Sequence, residues 1–186
     1  MPKALLEREE VVERIMAVLR RTGYDGASLA ELSKATGLGK SSLYHHFPDG
    51  KDDMVRAVLD HLEEALRVGV FEPLRARGAP QKRVAAMVAA IDQFYRHGHE
   101  SCVLAQLVLG TTRDRFRDRL TRIFTEWTAA VATVVADAGF SRAVARQRAE
   151  EAVLRIEGAL VLAGGLNDEK VFSRTLRSLS KSLLAP

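Results

Sequence analysis

The sequence predicts an all-α protein, with an N-terminal three-helix domain containing a helix-turn-helix, a long connecting helix, and a C-terminal helical bundle, about nine helices in total. Three observations predict it. Apolar residues recur at helical spacing through nearly the whole chain, and no stretch alternates as a half-buried strand would. A short segment near the N-terminus is bracketed by a capping pair, Ser28 with Glu31, and by a glycine, Gly37, placed to reverse the chain. The later breaks, GTT, GFS and GGLN among them, are short, as antiparallel neighbours in a bundle require.

The first helix is expected over residues 6–22, with Val11, Val12, Ile15, Met16, Val18 and Leu19 as its apolar stripe and Gly23 as its end. The second starts at Leu29, where the Ser28 oxygen accepts from the Glu31 N–H and the Glu31 carboxylate reaches back to the Ser28 N–H. After the Gly37 turn a third, at about residues 39–46, directs Leu43 and Phe47 inward and leaves Lys40, Ser41, Ser42, Tyr44 and His45 outside. Beyond Pro48 and a DG turn, a helix over residues 51–70 turns Met54, Val55, Val58, Leu59, Leu62 and Leu66 inward. LRARGAP reads as a loop, followed by helices at about 80–97, 102–109, 113–138, 142–163 and 168–184. The division expected is residues 1–50 for the reading head and 51–186 for the remainder.

At 186 residues, 47% apolar and 28% charged, the chain has enough apolar residues for one sizeable core and a small satellite domain. No uncharged stretch approaches the ~18 residues of a membrane span, and MPKALLEREE is acidic where a secretion signal needs an apolar run, so a cytoplasmic protein is expected. The single cysteine, Cys102, excludes an intrachain disulfide. A net charge of +4 does not by itself point to nucleic acid, because residues 1–56 hold nine Lys/Arg and nine Asp/Glu. Placement does: Lys40, Lys51 and two histidines lie in or beside the third helix, and the acids at 7–13 lie on the first.

A helix with small and basic residues outward suits the major groove, where it must approach base edges while its flanks hold phosphates. The run TGLGKSSLYHHFPDGKDDM resembles the signature of TetR-family transcriptional regulators, and the resemblance covers about the first 60 residues. It implies that Lys40, Ser41 and Ser42 contact bases and that Ser28, Tyr44, His45 and Lys51 contact phosphates. The chemistry agrees: lysine and serine donate to base edges, and a tyrosine hydroxyl or an ammonium at a helix start reaches backbone oxygens. Two departures stand out. Gly39 replaces the usual Ser/Thr cap, and an extra Gly50 precedes Lys51.

The last two helices each carry an apolar face, including Ala152, Ile156, Leu160, Phe172, Leu176 and Leu179. Such faces either close the core of one chain or bury a partner. The resemblance implies the second, since TetR-family members dimerise through their last two long helices. Likewise Phe94, Tyr95, Phe124 and Trp127 form either core or a cofactor-like box, and the resemblance implies a small-molecule pocket among them, with Met87 and Gln106 beside it. His97, His99 and Cys102 do not have zinc-site spacing, and no third group orients a Cys–His nucleophile. No catalytic residue, metal or cofactor is expected.

The expectation is therefore a non-enzymatic repressor that binds a palindromic operator in double-stranded DNA as a homodimer. An apolar or aromatic small-molecule inducer releases it. The rivals are a helical small-molecule-binding or enzymatic bundle retaining the motif, and a ligand-independent DNA-binding protein.

Overall fold

A computed structural model of the chain describes residues 7–111 and 113–186, and among them every regular element is helical. In chain order these are α1 (Arg8–Gly26), α2 (Leu29–Thr36), α3 (Lys40–His46), α4 (Lys51–Leu66), α5 (Glu72–Arg75), α6 (Pro80–Phe94), α7 (Val103–Leu109), α8 (Arg113–Asp137), α9 (Arg142–Leu166) and α10 (Lys170–Ser182). A π-helical turn, Arg67–Phe71, fuses α4 to α5, so the two make one rod and nine helices result among the described residues.

The chain divides into two compact units. One contains the described residues up to Glu64 together with Val103–Phe116, and the other contains Ala65–Cys102 with Arg117–Pro186. In the first, α2 and α7 pack on α1, and α3 packs on α2. The expected stripe of α1, from Val11 to Leu19, is buried to the last residue, as are Leu32, Leu43 and Phe47. Regular α1 ends at Thr22 because Gly23 takes φ +65°, a conformation that costs glycine little and L side chains more. The expected start at Leu6 lies outside the described residues.

In the second unit α10 packs along α9 and against α6, and α5 packs on α6. Arg83, buried on α6, donates from Nε to the Leu74 carbonyl at 2.7 Å and pairs with Asp137 of α8 at 2.6 Å, which ties three helices together.

Three boundaries differ from expectation. The rod continues to Arg75, past the loop expected after Pro73, because proline at the first turn of α5 forfeits no hydrogen bond and the π-turn absorbs the register. Regular α6 stops at Phe94 rather than 97, followed by a 3-10 turn over Arg96–Gly98. Regular α9 runs through Gly164 and Gly165 to Leu166, and Asn167, at φ +51°, supplies the left-handed cap.

Candidate nucleic-acid interface

The turn between α2 and α3 is fixed by its own hydrogen bonds. The Ser28 hydroxyl accepts from the Glu31 N–H at 3.2 Å, starting α2 as expected. The reciprocal half of the box is absent, since the Ser28 N–H donates to the Gly26 carbonyl at 2.9 Å. Gly37, at φ +70°, closes α2 with its N–H on the Ser33 carbonyl at 2.9 Å. The Ser33 hydroxyl then donates to the Leu38 carbonyl at 2.6 Å, and Thr36 Oγ1 accepts from the Leu38 N–H at 3.3 Å. Arg14 of α1 reaches the carbonyls of Ala35 and Thr36, which α2 leaves unpaired at its end.

So held, α3 buries Leu43 and exposes Lys40, Ser41, Ser42, Tyr44 and His45. Gly39 serves as a cap without a side chain, leaving the first turn of α3 unobstructed. Arg8 sits over the Phe47 ring, 5.2 Å from its centroid, and donates to the His46 carbonyl at 3.2 Å, which fixes the far end of the helix. Ser28, exposed at the start of α2, completes the outward polar set.

Lys51 departs from its expected role. The extra Gly50 takes φ +67° and donates to the Phe47 carbonyl at 2.9 Å, so α4 starts at Lys51. There the ammonium donates to the Tyr24 carbonyl at 2.7 Å and lies 4.1 Å from the Tyr24 ring centroid. It is bound internally rather than held out beside α3.

Around it lies a polar clasp that sequence pattern did not reveal. The Tyr24 hydroxyl donates to Asp52 at 2.5 Å, and Arg115, at the start of α8, donates to both Asp52 oxygens at 3.1 Å. Burial and then the Asp52 carboxylate push the Tyr24 hydroxyl above its usual pKa. Nearby, the Thr111 hydroxyl and N–H donate to Asp25 at 2.6 and 3.2 Å and hold that carboxyl below the usual range. Partners 63 and 86 residues apart leave no periodic signature.

The pocket residues scatter. Phe94, Tyr95 and Trp127 do meet, around a small cavity of about 20 Å3 whose other walls include Leu66, Val70 and Ile91. Trp127 is fully buried, and its Nε1–H finds no acceptor among the described residues. Met87 is buried elsewhere, Phe124 is half-exposed, and neither lines the cavity. Gln106 belongs to the other unit, beside Gly23. A larger open groove, about 630 Å3, runs between α8 and the start of α9, and the aromatic set is absent from it. Of the loop residues, His97 Nδ1 pairs with Asp92 at 2.6 Å, His99 is exposed, and Cys102 is buried with the Tyr95 hydroxyl donating to its sulfur at 3.3 Å.

The interface residues need correction. Ala152, Ile156, Leu160, Phe172, Leu176 and Leu179 are all buried within the single chain, because α9 and α10 pack on each other through them. They close the core and offer nothing to a partner. What α9 exposes instead is Leu154 (71%), Val161 (66%), Leu162 (52%) and Leu166 (61%), interleaved with Gly158 and Gly165, where an added Cβ would meet open space. No helix among the described residues is long and apolar enough to cross a membrane.

Two family matches cover most of the chain. Residues 11–58 match "Bacterial regulatory proteins, tetR family", and residues 79–178 match "Transcriptional regulator LmrA/YxaF-like, C-terminal domain". The HTH-type transcriptional regulator LmrA of Bacillus subtilis (strain 168) is 23% identical over 160 residues, spanning 84% of this chain and 85% of its own length. A TetR transcriptional regulator from Legionella pneumophila shares the fold at a TM-score of 0.79 and 16% identity, covering 97% of this chain and 99% of that one. The TetR-family regulator CifR, solved as a cysteine mutant complexed with 26 bp double-strand operator DNA, shares it at 0.75 and 21% identity, covering 98% and 100%. With its helix-turn-helix at residues 29–46 and the LmrA/YxaF-like domain behind it, the chain belongs to the TetR family of helix-turn-helix, DNA-binding transcriptional regulators.

Proposed function

We propose that the chain is a repressor that binds an inverted-repeat operator as a homodimer and leaves it when a small apolar molecule enters its C-terminal domain. The observation that carries the reading is the outward face of α3: a basic residue, two serines, a tyrosine and a histidine on a helix braced at both ends. Lys40, Ser41 and Ser42, at the start of α3, are small or flexible enough to reach base edges. Ser28, Tyr44 and His45 flank them as phosphate donors. Lys51 acts one step back, positioning the corner between α1 and α4. CifR bound to operator DNA offers a precedent in the same fold. Residues 1–50 form the reading head in this proposal, and residues 51–186 sense the ligand and dimerise.

The exposed stripe of α9 supports the dimer. Leu154 and Val161 are seven residues apart, with glycine four residues after each, so a second α9 can approach closely about a twofold axis. For the inducer, Phe94, Tyr95 and Trp127 supply apolar walls and one unmet donor. A cavity of about 20 Å3 holds no more than a water-sized guest, whereas drug-sized ligands occupy roughly 300–1,000 Å3, so binding must open the unit. That requirement links occupancy to conformation, because α4 and α8 both continue from this unit into the one that bears α3.

Recovery of genomic fragments bound by the purified protein tests the reading. The expected fragments share an inverted repeat beside a promoter, and the protein binds them as a dimer. Fragments without a common sequence would identify a ligand-independent, non-specific DNA-binding protein instead.

A further inference from the structure

Trp127, on α8, is the largest side chain that the fold buries completely, and its indole Nε1–H is shut off from solvent with no acceptor in reach among the described residues. It lines the cavity of about 20 Å3 that lies between the α4–α5 rod, α6 and α8. The other walls hold no charged side chain, and the one further polar side chain among them, the Tyr95 hydroxyl, donates to Cys102 Sγ at 3.3 Å. Two carboxyls of the same unit also keep oxygens buried without a hydrogen-bond partner. They are Asp92, through Oδ1, and Glu157 of α9, through both oxygens, and burial pushes the Glu157 carboxyl up to about 7. Neither lines the cavity. An indole N–H is a donor only, so what this one lacks is an acceptor.

The same cavity is where the rod departs from regular helix. Gly69 and Val70 of the π-turn, with Leu66 before it, form the rod's share of the walls. At Gly69 an added Cβ would lie 3.2 Å from the Ala90 Cβ of α6, so a residue without a side chain is what lets the rod and α6 close there. Single π-turns are rare and occur mostly at functional sites. A guest larger than water needs a wall that gives, and this turn is a stretch of wall outside the regular α-helical ladders.

We propose that the Trp127 indole selects what this cavity takes: an uncharged, compact aromatic molecule whose carbonyl or ether oxygen accepts from Nε1–H. A charged ligand would meet no counter-charge at the walls, and burying it unpaired is costly. A pure hydrocarbon would fill the space and leave the indole donor unsatisfied. Phe94 and Tyr95 already meet edge to face, with 5.0 Å between centroids, and offer ring edges and faces to a third ring. The inference rests on the small-molecule reading above and names the ligand class of that site.

The test uses acetophenone and ethylbenzene, which are alike in size and differ in the carbonyl, with benzoate as a charged probe. Calorimetry measures each against wild type and Trp127→Phe, which keeps a ring and removes the donor. The preference for acetophenone over ethylbenzene should be about fivefold greater in the wild type than in the variant, the worth of one hydrogen bond, and benzoate should bind neither. Trp127 is the only tryptophan, so the wild type has one indole N–H resonance. Acetophenone should move that proton downfield as the hydrogen bond forms, and ethylbenzene should not. Should Trp127→Phe fail to fold, the indole resonance alone decides. The same preference in both proteins, an indole shift alike with both probes, or benzoate bound as tightly as acetophenone would overturn the inference. A wild type that takes up none of the three would refute the small-molecule reading and the inference with it. Acetophenone bound with the indole shift while operator affinity stays unchanged would refute release as the output and uphold the ligand class.

Discussion

Lys40 is the residue on which sequence reading most depends. Its side chain is exposed at the first position of α3, where an ammonium can donate to guanine O6 or N7. Removing a base reader relaxes one operator position, whereas removing a phosphate donor weakens all DNA alike. Tyr44→Phe should therefore lower affinity without changing the preferred sequence or the slope of affinity against salt, since it removes no charge. A binding titration at several salt concentrations checks it, and a changed consensus would count against the assignment. Glu157 belongs to the same scale. Its folded pKa, about 7, lies above the ordinary 4.5, so the penalty is absent below 4.5, grows between the two values and is complete above 7. The shift corresponds to about 3 kcal/mol, and Glu157→Gln should remove most of that pH dependence from denaturant unfolding. The exposed placement of Lys40 was legible because it lies inside an ordered local motif. Glu157 was not, because RIEGALVLAGG reads as one more helix and nothing in it says which way the acid turns. Lys51 misled for the same reason: its position at the head of α4 was legible, and the Tyr24 ring that takes up its ammonium lies 27 residues away.

Among elements, α1 to α4 followed their patterns closely because each has one apolar face and one polar one, so period alone fixes what is buried. Helix α9 did not. Its second half carries apolar residues on more than one side, with Ala152, Ile156 and Leu160 on one and Leu154, Val161 and Leu166 on another, and the sequence does not say which side its own chain covers. Packing by α10 decides it. The consequence is a pair of opposite expectations. Leu176→Glu places a carboxylate in the core and should unfold the protein, at several kcal/mol. Leu154→Glu places it on the exposed stripe and should leave a folded monomer, by light scattering and circular dichroism together. If Leu154→Glu remained a dimer, the partner surface would lie elsewhere. The glycines of GGLN misled for a related reason: exposed glycine permits a helix to continue, and only Asn167, taking the left-handed conformation, ends it.

Across the whole molecule, the segment around α7 and the first turn of α8 lies past the middle of the chain and belongs to the compact unit that carries the helix-turn-helix. Arg115, Thr111, Asp25, Tyr24 and Asp52 hold it there. Asp52→Ala removes its hydrogen bonds with Tyr24 and Arg115 together, and should destabilise this unit by about 1–2 kcal/mol, more than a lone surface ion pair would. Denaturant unfolding of the variant measures it. A stability equal to wild type would mean that the clasp is decoration, and that α7 stays on α1 through apolar contact alone. The two family matches, to residues 11–58 and 79–178, fall on the N-terminal and C-terminal parts of one chain.

The central claim is that α3 reads sequence, in two copies, from a symmetric site. Selection of bound duplexes from a random pool, performed in parallel for wild type and Lys40→Ala and followed by sequencing, tests it most directly. The wild type should return an inverted repeat whose half-sites are centred about one helical turn, ~34 Å, or a multiple apart. Lys40→Ala should return the same repeat with one symmetric pair of positions relaxed, at ~1–3 kcal/mol per half-site. An unstructured pool from the wild type, or an identical consensus from the variant, would contradict the account.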